Sequence, residues 1–240
     1  MPEPLEARNL VRLYGDERAV GGVDIEVRTG EIHAIVGLNG AGKTTLMRLL
    51  LGMVVPTSGR ALIDGVDARS AGPGVWRRVG CLIETPFSYP ELTVTENLEA
   101  AALLHGVDDV ESEVRRMIDD FELTHWAHKR ARALSLGNQQ RLGLAAAMVH
   151  RPSILVLDEP ANALDPAGVV FIRDLMRTAA ERNVAVMVSS HHLDQLARMA
   201  HRITVLHRGK IIGTLDPRGT DLEQQFFDTV YRNDRERGLA

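Results

Sequence analysis

The sequence predicts an α/β fold: a parallel sheet covered on both faces, an antiparallel β-rich subregion near the start, and a helical lobe inserted into the middle. The runs Ile154–Leu157 and Val184–Val188 are apolar throughout, as expected of parallel strands buried on both faces. The strand pattern Glu31–Val36 passes through a glycine-rich turn into a helix pattern, the alternation of an α/β unit. From Thr95 to Leu134 the chain becomes helical in pattern and rich in charge before the α/β rhythm resumes. No repeat with a period of roughly 20–50 residues occurs, which excludes a solenoid or propeller.

Taken in order, strands are expected at Leu5–Leu13, Val23–Val27 and Glu31–Val36, with Gly21-Gly22 and Thr29-Gly30 as turns. Thr44–Leu51 carries a helix pattern closed by Gly52, and short strands follow at Arg60–Asp64 and Val79–Glu84. In the lobe, Glu99–His105 and Val110–Phe121 read as helices. Thr93-Val94-Thr95-Glu96 supplies helix-start chemistry there, and Gly106 a stop. Next come a strand at Ile154–Asp158, a helix at Pro166–Arg182, a strand at Val184–Ser190 and a helix at His192–Ala200. Arg202–Leu206 and Lys210–Leu215 read as a strand pair turning at Arg208-Gly209. The amphipathic stretch Leu222–Tyr231 precedes a charged tail from Arg232, expected to fray. The chain thus divides into an α/β core (1–84 and 153–218), a helical lobe (85–152) and a terminal helix and tail (219–240), all one domain.

A length of 240 residues suits one core, or one core plus a small lobe. Hydrophobic residues at 45% and charged residues at 25% are ordinary for a soluble globular domain. A net charge of −4 lacks the basic footprint of a nucleic-acid binder, so no nucleic-acid partner is expected. The pairs Arg77-Arg78 and Arg115-Arg116 read as solvated faces. The longest apolar runs, around Leu142–Val149 and Ile154–Leu157, are too short to span a bilayer. Met1-Pro2-Glu3-Pro4 carries neither the basic nor the apolar region of a secretory signal, so the chain is expected in or facing the cytosol. Cys81 has no partner for an internal disulfide and reads as core packing in Val79–Ile83. Lysine occurs only at 43, 129 and 210, and every other cation is Arg. A Lys in a glycine-rich loop is then a choice for its compact ammonium group.

That loop is Gly37-Leu38-Asn39-Gly40-Ala41-Gly42-Lys43-Thr44-Thr45. It follows an apolar strand and opens a helix, the context a phosphate-binding loop requires. Its glycines let backbone N–H groups curl around phosphate oxygens, and the helix N-terminus adds partial positive charge. Lys43 is placed to reach the β- and γ-phosphates and the Thr44 hydroxyl to ligate Mg²⁺.

A second signal is Ile154-Leu155-Val156-Leu157-Asp158-Glu159-Pro160. A buried strand ending in two acids puts carboxylates at the sheet edge where the phosphate loop also lies. Asp158 can hold the hydrated Mg²⁺, and Glu159 can polarise a water for attack on the γ-phosphate. Leu134-Ser135-Leu136-Gly137-Asn138-Gln139-Gln140-Arg141 is a second helix start suited to an anion, with Ser135 in the cap region and Gly137 allowing close approach. Taken by itself this segment is equally a plain helix cap.

The phosphate loop, Leu134–Gln140, Leu157-Asp158-Glu159, Ala163-Leu164-Asp165 and His191 stand in an order that closely resembles ABC-type ATPases, over about residues 5 to 215. The resemblance implies a P-loop NTPase core of ABC type, binding ATP with Mg²⁺. Two ATPase subunits, a homodimer or a pair with a paralogue, would pack head to tail. In that arrangement Ser135, Gly137 and Asn138 face the γ-phosphate bound by the other copy. Asn39, Gly40, Ala41, Gly42 and Thr45 would line the phosphates, and Tyr14 and Val20 the adenine. Asp165 would communicate across the dimer, and His191 would contact the γ-phosphate beside the catalytic Glu159 and Lys43. The motor would drive a separate transmembrane permease from the cytoplasmic face of the membrane.

The family's usual Gln is replaced by Glu84, which can still ligand Mg²⁺. With Pro86, Phe87, Tyr89-Pro90 and Glu96-Asn97-Leu98 after it, Glu84 resembles the subgroup of bacitracin-resistance and lantibiotic-immunity exporters, so export of an antibiotic or drug-like substrate is implied. By that resemblance Leu136 and Asn138 replace the family's more common Gly and Gln, and Ala163 a small or flexible residue, often Gly. The surface around Glu84–Leu92 and the helical lobe is the expected permease-docking face, with Phe87 and Tyr89 as anchors. The alternatives are a non-transport ABC ATPase acting on a soluble nucleic-acid or ribosomal partner, and an unrelated phosphate-loop kinase or GTPase.

Overall fold

The computed structural model describes residues 2–190, 193, 199–236 and 238. Its strands are β1 (Leu5–Tyr14), β2 (Glu17–Val27), β3 (Ile32–Val36), β4 (Ser58–Ile63), β5 (Val66–Asp67), β6 (Val79–Leu82), β7 (Ile154–Asp158), β8 (Ala185–Ser190), β9 (Arg202–His207) and β10 (Lys210–Leu215). The helices are α1 (Lys43–Leu50), α2 (Pro73–Trp76), α3 (Val94–Leu104), α4 (Val110–Asp120), α5 (Leu136–Met148), α6 (Pro166–Glu181) and α7 (Leu222–Glu236). The helix expected at His192–Ala200 falls largely outside the described residues.

Two sheets form. The larger has the order β10-β9-β3-β8-β7-β6, with β6 to β9 and β3 parallel and β10 antiparallel at one edge. The smaller is antiparallel, in the order β2-β1-β4-β5. Every residue of β3, β7 and β8 is buried, and alternation along them feeds two cores. Ile154, Val156 and Met187 pack with α1 and the smaller sheet. Leu155, Leu157, Val186 and Val188 join the core built with α3 to α7. The helical segment is an insertion between β6 and β7, neighbours in one parallel ladder.

Local chemistry sets the helix ends. Thr93 caps α3 through a capping box: its hydroxyl accepts from Glu96 N–H while the Glu96 carboxylate accepts from Thr93 N–H at 2.7 Å. Asp109 caps α4, Ser135 caps α5 and Asp165 caps α6, each by accepting a backbone N–H.

The structure corrects two expectations. Gly21-Gly22 is not a turn but a part of β2, which runs back to Glu17; the pairing with β1 shifts register nearby, and Gly22 takes φ +77°. Residues 232–236 do not fray but extend α7 to Glu236. His207, at the end of β9, pairs with Asp234 at 2.9 Å, which anchors the last turns of the helix.

Candidate nucleotide site

In the sheet order β3, β8 and β7 are adjacent, so their C-terminal ends deliver the phosphate loop, Ser189-Ser190 and Asp158-Glu159 to one edge. This is the switch point of the larger sheet, with β8 and β9 on either side of β3, and ligands of open α/β sheets bind at such points. The loop is clamped from behind. A Cβ on Gly37 would fall 2.3 Å from the Leu206 carbonyl oxygen, and one on Gly42 2.3 Å from that of Ala19. Gly209 N–H donates to the Ala41 carbonyl at 2.9 Å, and Gly21 N–H to that of Gly209 at 2.7 Å. The front is open: nothing lies within 4 Å of where a Gly40 Cβ would be, and Asn39 and Gly40 are exposed. The first bond of α1 runs from Leu46 N–H to the Gly42 carbonyl, leaving the N–H groups of Lys43, Thr44 and Thr45 at the open helix end.

Four side chains meet at this edge. Lys43 is buried, donates to the Gly37 carbonyl at 2.7 Å, and lies 3.6 Å from Glu159 Oε1. Thr44 Oγ1 donates to Asp158 Oδ2 at 2.6 Å, and Asp158 is only 2% exposed. An alcohol beside a buried carboxylate is a hard-oxygen pair of the kind Mg²⁺ takes alongside phosphate oxygens and water, so these residues fit the ion. Glu159 adopts φ +50°, a left-handed state that costs a residue with a Cβ about 1–2 kcal/mol. Its N–H donates to Ser189 Oγ at 2.9 Å, a bond that offsets part of that cost by about 1 kcal/mol.

The Ser135 segment lies elsewhere in the chain's own architecture. Ser135 is exposed at the start of α5 and accepts from Asn138 N–H at 3.3 Å. Leu136 beside it is exposed, and Gly137 and Asn138 are half-buried. The segment is tied to the loop after Glu159: Gln140 Nε2 donates to the Pro160 carbonyl at 2.9 Å, and a Gly137 Cβ would lie 3.4 Å from the Ala163 carbonyl. Ala163 holds φ +64°, a left-handed conformation that glycine adopts without the cost a Cβ brings. Asp165 is exposed and accepts from Gly168 N–H at 2.7 Å, capping α6. Among the described residues, the hydrogen bonds of the Ser135 side chain stay within its own helix.

Tyr14 is exposed at the end of β1, with the Arg12 guanidinium 4.4 Å from its ring centre, so one ring face is already covered by a cation. Val20 is fully buried in the core behind the loop and turns no side chain to an open surface. Glu84, also left-handed at φ +60°, is ion-paired to Arg48 of α1 at 2.5 Å. His191 lies outside the described residues. Phe87 is 75% exposed and stacks edge-to-face on Tyr89, with ring centres 5.2 Å apart.

Sequence reasoning assigned no role to three residues at or near the site. Ser189 was visible only as a polar residue closing an otherwise apolar buried strand. Arg48 carried no signal, because its partner Glu84 is 36 positions away. Asn97 is buried at the start of α3 and shapes the Tyr89 segment: its Oδ1 accepts Tyr89 N–H at 2.7 Å while its Nδ2 donates to the Thr93 carbonyl at 2.8 Å.

Comparison with known proteins gives these features a context. Residues 20–162 match the family model described as ABC transporter. The chain is 36% identical over 209 residues to the bacitracin transport ATP-binding protein BcrA of Bacillus licheniformis, covering 87% of this chain and 68% of that protein. It is 31% identical over 224 residues to the lantibiotic transport ATP-binding protein SrtF of Streptococcus pyogenes, covering 93% and 96%. A bacterial ABC transporter cassette solved as a dimer superposes with a TM-score of 0.80 at 25% identity, covering 90% of this chain and 99% of its own. A strand-to-helix phosphate loop facing two acids, within a fold and a sequence shared at this level, makes the chain an ATP-binding, ATP-hydrolysing member of the ABC transporter family.

Proposed function

We propose that this chain powers a separate membrane permease by binding and hydrolysing ATP between two ATPase subunits, and that the cargo exported is an antibiotic or drug-like molecule. The observation that carries this is the convergence of Lys43, Thr44, Asp158 and Glu159 in front of one clamped loop. The phosphates lie along Asn39 to Thr45, held by backbone N–H groups and the Lys43 ammonium. Magnesium, when bound, compensates the charge on the phosphates; Thr44, Asp158 and Glu84 are the residues that would hold it. Glu159 orients and polarises the attacking water, with Lys43 and His191 stabilising charge on the γ-phosphate. Tyr14 takes the adenine on its free ring face, and Val20 supports that side from the core.

Ser135, Gly137 and Asn138 complete the site from a second subunit, another copy or a paralogue. The exposure of Ser135 at the start of α5, with Gly137 and Asn138 half-buried beside it, and the dimer formed by a similar cassette support this. Asp165 and Ala163 sit where the two halves would communicate. The permease docks on the segment Glu84–Leu92, where exposed Phe87 and Tyr89 are the anchors, and it holds the chain at the cytoplasmic face of the membrane. Pro86 rests against α5, since a Cβ on Gly143 would fall 2.6 Å from Pro86 Cβ, so that segment and the Ser135 helix move as neighbours. The names of the bacitracin and lantibiotic relatives support the cargo class.

Co-purification from membranes of tagged Glu159→Gln protein with ATP tests the assignment. A polytopic permease is expected among the bound proteins. A soluble or ribosomal partner in its place would leave the ATPase chemistry standing and overturn the transport role.

A further inference from the structure

We infer that Ser189 is a positioning residue of the ATPase site, one buried hydroxyl that fixes the Asp158 carboxylate and the Glu159 backbone together. This rests on the roles proposed above for Asp158 and Glu159. Ser189 pairs in register with Asp158 across the β7–β8 ladder, and it is fully buried. Its Oγ donates to Asp158 Oδ1 at 2.5 Å and accepts the Glu159 N–H at 2.9 Å. A hydroxyl is the smallest side-chain group that both donates and accepts, so one atom serves both neighbours.

The consequences fall on the reacting groups. Asp158 Oδ2 already accepts from Thr44 Oγ1 at 2.6 Å, so hydroxyls hold both oxygens and the carboxylate cannot turn about its own axis. The Glu159 N–H bond holds that residue at φ +50°, from which its Oε1 stands 3.6 Å from Lys43 Nζ. Without the hydroxyl, the Glu159 N–H loses its acceptor and the peptide that leads into this left-handed residue is less firmly oriented, which loosens the placement of its carboxylate beside the phosphate loop. The chemistry of β8 fits a dedicated role. Ala185 to Val188 are all apolar, and hydroxyls appear only at the C-terminal end of the strand, where Ser189 meets the acid pair.

The test is Ser189→Ala, with Ser189→Thr as the variant that keeps the hydroxyl. Two readouts are used: ATPase rate against Mg²⁺ concentration, and binding of a fluorescent ATP analogue in EDTA. Expected for Ser189→Ala are a fall in kcat of about tenfold or more and a rise of severalfold in half-saturating Mg²⁺. Binding in EDTA should stay within about twofold, because Lys43 and the loop are untouched, and Ser189→Thr should recover most of kcat. A merely structural Ser189 would lower EDTA binding in step with activity and would not be rescued by Thr; that result overturns the assignment, as does wild-type kcat and Mg²⁺ dependence in Ser189→Ala. Should the Ala variant fail to fold, Ser189→Cys fills the same space with a poorly hydrogen-bonding thiol and carries the same expectations. Asp158→Asn and Glu159→Gln separate the two levels. If they are inactive while Ser189→Ala is normal, Ser189 alone is misassigned; if they too hydrolyse at the wild-type rate, the roles of the acid pair fall and that of Ser189 with them.

Discussion

Glu159 joins a strained backbone to a carboxylate aimed at a buried lysine, and the isosteric amide separates those properties. Glu159→Gln keeps the shape but cannot take a proton. Hydrolysis should fall by about 10²–10⁴-fold while ATP binding persists, as read by phosphate release and nucleotide titration. Turnover near wild type would show that another group is the base. Lys43→Ala should instead weaken nucleotide binding, measured by the same titration. Buried histidines give a separate test of the core. His33 and His150 have pKa values lowered to about 4, first by burial, then by the charge of Arg202 for His33 and of His105 for His150. Unfolded, they titrate near the ordinary value of 6.5. Below that pH the unfolded chain takes up protons that the folded chain refuses, so stability present above pH 6.5 is lost as pH falls towards 4. For the more buried His33 the loss reaches about 3 kcal/mol, and less for the partly open His150. His33→Gln should therefore flatten the fall in urea midpoint over that window, and an unchanged slope would contradict it. At this scale Lys43, Thr44, Asp158 and Glu159 were legible because each sits in a run whose spacing is itself the signal. Ser189 was not, since its role depends on which strand lies beside it in the sheet.

Among elements, the parallel strands were the most legible: β7 occupies the expected Ile154–Asp158, because continuous apolar runs have few other solutions in a soluble fold. β2 was read too short, since two consecutive glycines signal a turn locally while an antiparallel edge absorbs them as an irregularity. α7 was read too short because Arg232 to Glu236 looks solvated until Asp234 meets His207 and Arg208. The pairing of α1 with the segment after β6 yields a testable coupling. Glu84 is ion-paired to the Arg48 guanidinium at 2.5 Å; at the Mg²⁺ site proposed for it, its negative charge would stand beside a polyanionic ligand and Arg48 would balance it. Arg48→Ala should lower kcat/KM for ATP by about fivefold in the wild-type background and have little effect in Glu84→Gln. Equal losses in both backgrounds would show that Arg48 acts independently of Glu84.

Across the whole molecule, one chain presents a complete phosphate loop and acid pair at the sheet edge and an exposed helix start at Ser135. The Ser135 segment is linked through Gln140 to Pro160, and α5 packs against Pro86. The segment proposed to dock the permease and the loop after Glu159 are therefore both in direct contact with the Ser135 helix. Closure of two such chains over ATP would then be felt at the permease. The sequence alone left Ser135 as either a cap or a ligand to another subunit's nucleotide. Its hydrogen bond to Asn138 N–H is that of a cap, while its exposure leaves the hydroxyl accessible to a second chain. Sedimentation of the Glu159→Gln protein with and without Mg·ATP, beside the double variant carrying Ser135→Arg, tests the shared site most directly. A shift from monomer to dimer on adding ATP, abolished by Ser135→Arg while nucleotide binding persists, is the expected result. Dimer formation that survives Ser135→Arg, or its absence when ATP is bound together with the partner permease and any paralogous subunit, would contradict a site completed by Ser135 from a second subunit.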